Sequence, residues 1–95
     1  MPAYVIVDSR VVNAAGMKPY AEKVRETIAA HGGKPLINGS NITVMEGDWK
    51  PTRMVMLQFD SVEAAKGWYN SPEYQAILPY RTDNTDDRFL IVEGL

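Results

Sequence analysis

The run Trp68-Tyr69-Asn70-Ser71-Pro72-Glu73-Tyr74-Gln75-Ala76-Ile77-Leu78-Pro79-Tyr80-Arg81 sets four aromatic rings beside a single arginine. These residue types suit a small-molecule site. A guanidinium holds a carboxylate through two parallel hydrogen bonds. Phenols wall a pocket and still offer a donor to its contents. Arg81 is therefore a candidate anion hook, and Tyr20, Trp68, Tyr69 and Tyr74 are candidate walls. The same residues have a plainer use. Aromatic rings at helical spacing pack into cores. An arginine favours a helix C-terminus, or pairs with a carboxylate such as Asp83, Asp86 or Asp87.

Two further candidates lie elsewhere. His31 is the only histidine, and its chemistry admits a general base near neutral pH or an axial haem ligand. Directly before Gly32-Gly33, it fits better as a helix-end residue whose charged form suits the negative pole. Asp8 and Arg10 alternate with Tyr4 and Ile6 on a strand-like segment, where they pair with each other or reach a cavity mouth. Glu46 and Arg53 flank a turn, and an exposed pair there contributes only ~0–1 kcal/mol.

Other chemistries fail on spacing. A calcium loop starting at Asp83 needs glycine at its sixth position and glutamate at its twelfth, and those positions hold Arg88 and Gly94. No His, Cys and carboxylate spacing suits zinc. No glycine-rich loop follows a strand to cradle phosphate. Ser61 and Ser71 read as helix caps, not nucleophiles. No metal and no cofactor is expected.

The elements that must position these residues follow from pattern. Residues 3–12, rich in Val, Ile and Tyr, read as a strand. Residues 14–31 have helical spacing, with Met17, Tyr20, Val24 and Ile28 on one face. Pro19 demands either a first-turn position or a kink. Gly32-Gly33 ends that helix. Residues 34–37 and 42–46 read as strand around Asn38-Gly39-Ser40-Asn41, as one bent strand or a hairpin, the bent strand being preferred. Residues 53–59 form another strand. Ser61 caps a helix over 62–70. Ser71-Pro72-Glu73 starts a second over 72–79. Residues 82–87 read as a solvated loop, and 88–94 as the last strand. This order, with the two helices in series counted as one unit, is an α+β, ferredoxin-like βαββαβ arrangement: an antiparallel sheet with the helices on one face.

Composition bounds the rest. The chain has 95 residues, 45% hydrophobic and 23% charged, which fits one globular domain over 1–95. A net charge of −2 argues against nucleic acid. The strand over 53–59 also lacks the glycine and aromatic pattern of an RNA-recognition sheet. With no cysteine, no disulfide framework exists. No leader pattern and no membrane-length apolar run are present. A cytoplasmic location is the resulting expectation.

Helices cover only one face of such a sheet, and the other alternates to polar where it meets water. Here it does not. Val55, Leu57 and Phe59 oppose Met54 and Met56; Phe89 and Ile91 oppose Leu90 and Val92; Ala3, Val5, Val7 and Val11 oppose Tyr4, Ile6 and Val12. An apolar face that large is rarely left bare. A second copy of the chain is the simplest cover, and two sheets face to face make a two-fold homodimer with a barrel-like core and the helices outside.

The run Phe59-Asp60-Ser61-Val62-Glu63-Ala64-Ala65, then Trp68 to Gln75, then Arg81, resembles the signature of the domain-of-unknown-function 1330 family. So do Gly32-Gly33 before a strand, and Glu46-Gly47-Asp48-Trp49 with Pro51 and Arg53. The resemblance covers nearly the whole chain. It implies membership of the dimeric α/β-barrel superfamily. Relatives there include antibiotic-biosynthesis monooxygenases, muconolactone isomerases and haem-dependent peroxidases. The family itself implies no settled activity. Two readings follow: a domain that binds a small molecule in a pocket between sheet and helices, any chemistry there being cofactor-independent, or a non-catalytic dimeric module.

Overall fold

A computed structural model describes residues 1–95. Four strands and three helices follow in the order β1 (Ala3–Asp8), α1 (Lys18–Ala30), β2 (Lys34–Gly39), β3 (Met54–Phe59), α2 (Val62–Tyr69), α3 (Pro72–Thr82) and β4 (Arg88–Glu93). The strands form one sheet in the order β2-β3-β1-β4, antiparallel throughout. This is the ferredoxin-like βαββαβ arrangement, with α2 and α3 sharing the place of its second helix.

Alternation along β1 sets the two faces. Ala3, Val5 and Val7 are buried under the helices. Val5 sits between Leu57 and Ile91, and Val7 between Val55 and Phe89. Tyr4, Ile6 and Asp8 take the opposite face. There Ile6 lies between Met56 and Leu90, and Tyr4 between Gln58 and Val92. The helices leave this second face uncovered: Leu90 is 56% exposed and Val92 44%.

Trp68 is the centre of the core under the helices. Its ring centroid lies 4.2 Å from Tyr74, 5.4 Å from Phe59 and 6.1 Å from Phe89. Its indole N–H donates to Thr27 Oγ1 at 3.0 Å, and that hydroxyl donates to Val24 O at 2.6 Å. A buried indole N–H without a partner would cost about 1–3 kcal/mol, so Thr27 licenses the position of the largest core residue.

Local chemistry explains the helix ends. Pro19 occupies the first turn of α1, where its missing N–H is not needed, and a short 3-10 turn over Ala15–Met17 leads in. At the exit Gly32 has φ +74°, the left-handed region that favours glycine. Gly33 is required for space: a Cβ there would sit 2.6 Å from the Phe59 ring. Ser61 Oγ accepts from Ala64 N, and Ser71 Oγ accepts from Tyr74 N at 3.2 Å while donating to Trp68 O at 2.7 Å. The second serine thus joins α2 to α3 and fixes two core rings at once.

Three boundaries differ from the sequence reading. The first strand ends at Asp8 rather than residue 12. Beyond it the chain turns onto the loop before β4, where Val11 bridges Thr85 and the N–H groups of Val12 and Asn13 share Asn84 O. The bent strand over 34–46 is corrected: β2 stops at Gly39. The register from Lys34 to Gly39 spans Gln58 back to Met54, so β3 offers 42–46 nothing more to pair with. Finally, α3 runs through Pro79 to Thr82 instead of stopping at 79. Pro79 forfeits one bond to an exposed carbonyl, at Gln75, and the helix continues because its last turn is anchored by Arg81.

No helix is long and apolar enough to cross a membrane.

Candidate functional site

A cavity of about 320 Å3 lies between α1 and the helix-facing side of the sheet, and thirteen of the twenty residues around it are hydrophobic. That balance matches small-molecule sites, which are mostly apolar with a few placed polar groups. Val24 and Ile28 of α1 face Val55 and Leu57 of β3 across it. Trp68 closes its floor. Tyr20, Ser9, Arg81 and Asp87 supply the polar groups at the inner end, beside Phe89.

The inner end is a connected network. Arg81 is 7% exposed, and its NH1 donates to Asp87 Oδ2 at 3.2 Å. Asp87 Oδ1 accepts the backbone N–H of Arg10 at 2.9 Å. Arg81 Nε donates to the Tyr74 hydroxyl at 3.3 Å, and that hydroxyl shares a 2.9 Å hydrogen bond with Tyr20. The Arg81 guanidinium also lies 4.8 Å above the Phe89 ring, close enough for cation–π attraction. Arg81 thus already has a buried counter-ion. Its place in the last turn of α3 further suits a cation.

Burial governs the protonation states. It raises both phenols, Tyr74 and, more strongly, Tyr20, so both stay neutral hydrogen-bonding groups across the ordinary pH range. Burial works against the Arg81 charge, but Tyr74, Tyr20 and Asp87 outweigh it and hold the guanidinium above its usual value. The only carboxylate on the cavity, Asp87, has both oxygens engaged. No side chain there is placed as a free general base.

The seven candidate residues do not converge on one point. Tyr20, Trp68 and Arg81 line the cavity. Tyr74 is fully buried behind them and reaches the wall through its hydroxyl, on Tyr20 and Arg81. Tyr69 lies off the cavity and packs on Trp68, Tyr74 and Phe89. Asp8 is on the other sheet face, where it accepts from the Trp49 indole at 2.9 Å. His31 caps the C-terminus of α1 and bonds Glu73 at 3.0 Å, which holds that carboxyl below its usual range. Arg53, paired with Glu46 in the sequence reading, instead donates to Asn38.

Sequence reasoning named Asp87 among three possible partners of Arg81 but placed it in a solvated loop, whereas the structure buries its side chain in that ion pair. Alternation held the signal: Asp87 shares parity with Phe89 and Ile91, the helix-facing residues of β4. It also passed over Ser9, whose N–H donates to Arg53 O at 2.9 Å, and Arg25, which follows Met17 and Ala21 along one face of α1 onto the cavity.

The family model described as "Domain of unknown function (DUF1330)" matches residues 2–95. No curated protein matches the chain. Solved structures share its fold at low identity. RPA0582, a protein of unknown function from Rhodopseudomonas palustris, is 20% identical, with a TM-score of 0.70 over 99% of this chain and 82% of that one. A dimeric ferredoxin-like protein of unknown function from Jannaschia sp. CCS1 is 12% identical, with a TM-score of 0.75 over 99% and 100% of the two chains. SnoaB, a cofactor-independent oxygenase from Streptomyces nogalater, is 9% identical, with a TM-score of 0.63 over 99% and 92%.

The buried phenols make a prediction for alkaline titration. Both native-state values lie above the unfolded value of about 10, so their contribution to stability is full below that pH and is lost as pH rises beyond it. The tyrosinate absorbance should include a late component that Tyr20→Phe or Tyr74→Phe removes. Loss of that component in neither variant would place both hydroxyls in water.

Proposed function

The chain belongs to the DUF1330 family, and from that premise we propose that it is a homodimeric domain that encloses a small, largely apolar molecule between α1 and the sheet. The observation that carries this reading is the cavity itself. It lies beside the core, its apolar walls are held by a packed aromatic cluster, and its inner end presents Tyr20 and Arg81 already organised by Tyr74 and Asp87. Trp68 and Tyr20 act as walls. Arg81 fixes the polar end instead of gripping an anion alone, because Asp87 neutralises it.

Binding is favoured over catalysis by side chains. The only cavity carboxylate is committed to Arg81 and the Arg10 N–H. His31, the only histidine, is occupied by Glu73 away from the cavity. The cofactor-independent oxygenase of similar fold supports a second reading, in which the bound molecule brings its own reactivity and the cavity excludes water from it.

The dimer completes the sheet. Leu90 and Val92 are exposed beside Ile6, Tyr4, Met54 and Met56, and a two-fold partner buries them all. The similar Jannaschia protein is described as dimeric. Residues 42–46, which carry Met45 at 85% exposure, lie beside Met54 at the rim of this face and add apolar surface for the same partner.

Light scattering at micromolar concentration should return twice the chain mass, and Leu90→Glu should return one chain mass with the helical signal intact. A wild-type monomer would refute the dimer. For the cavity, ligand-observed NMR with a panel of aromatic fragments should find binders that Val24→Phe excludes. Binding unaffected by Val24→Phe would place those fragments elsewhere.

A further inference from the structure

The cavity is electrically lopsided. Its inner end is neutral, because Arg81 faces Asp87 at 3.2 Å with both side chains buried. Its solvent side is not. Arg25, exposed on α1, and Arg53, half-buried just before β3, line it from the helix side and the sheet side. Arg53 Nε donates to the neutral Asn38 amide at 2.9 Å, and Arg25 has no side-chain hydrogen bond. The chain has three ion pairs, His31–Glu73, Arg81–Asp87 and Arg88–Asp86, and none includes Arg25 or Arg53. Glu22 and Glu26 are Arg25's nearby acids on α1, and neither reaches it within an ion-pair distance. Two guanidiniums without an ion-pair partner on one cavity stand out in a chain whose net charge is −2.

We propose that this cavity takes an amphipathic organic acid, with its apolar or aromatic body against Val24, Val55 and Trp68 and its carboxylate at the opening between Arg25 and Arg53. The proposal rests on the ligand-binding reading and adds the chemical class and orientation of the ligand. Asp87 is what sets the orientation. A carboxylate pushed inward would meet a second buried carboxylate, whereas at the opening it meets two cations without losing all its water. The end of the ligand beside Tyr20 and Arg81 is then apolar or carries a neutral hydroxyl or carbonyl, which a phenol and a committed guanidinium can hydrogen-bond.

A matched pair of probes tests this: naphthylacetate and its neutral amide, naphthylacetamide, titrated calorimetrically against the full chain. The wild type should bind the acid about tenfold more tightly than the amide, as guanidinium–carboxylate hydrogen bonds do over neutral ones. Arg25→Gln should reduce that preference. Arg25→Gln with Arg53→Gln should abolish it, the acid losing more affinity than the amide. Arg25→Gln removes no hydrogen bond, so it carries the test even where loss of the Arg53–Asn38 contact unfolds the double variant. Equal binding of acid and amide, or an undiminished preference in Arg25→Gln, overturns the proposal and leaves the ligand-binding reading standing. Binding of neither probe overturns both.

Discussion

The ion pair between Arg81 and Asp87 joins the end of α3, the approach to β4 and the segment leaving β1 in one buried network. Arg81 ends α3; Asp87 leads into β4; the Arg10 N–H on Asp87 belongs to the segment leaving β1. Through Tyr74 the same guanidinium reaches Tyr20 on α1. Removing two charges from water costs several kcal/mol per ion. Here that cost is offset by the pairing and by further hydrogen bonds on both partners. The Phe89 ring beneath the guanidinium adds to them. A pair so completely engaged is better suited to shaping a cavity than to capturing a charge from solution.

Around that pair the fold sorts chemistry by depth. The Trp68 cluster gives a rigid apolar floor, with every buried polar side-chain atom partnered. The inner end offers neutral donors and acceptors. The free positive charge stands at the opening. The uncovered sheet face is a separate matter. Its apolar side chains alternate with those of the core, so the sheet has two apolar faces, of which its own helices cover one.

Much of this was legible in residue order. Alternation in β1, β3 and β4 identified both apolar faces, and Ser61, Ser71 and Gly32-Gly33 marked helix ends that the structure contains. The misses share a cause. Residues 42–46 have strand-forming side chains, but pairing depends on how far β3 extends, and that is a property of the partner. Pro79 signals a helix end locally, yet tertiary anchoring at Arg81 carries α3 onward. Asp87 sits in an acidic run that reads as solvated, and only the register of β4 reveals that its side chain turns inward. His31 ends α1, as its place before Gly32-Gly33 suggests, and bonds Glu73, while Asp8 is claimed by Trp49, a residue far along the chain.

The central claim is that Arg81 and Asp87 act as one buried unit, and a double-mutant cycle in denaturant measures it most directly. Arg81→Met and Asp87→Asn, each alone, strand a partner and should cost about 3–5 kcal/mol. The double variant should cost less than the sum of the two by at least about 1 kcal/mol. Additive costs would mean that the two residues act independently, and the neutral inner end of the cavity would lose its basis.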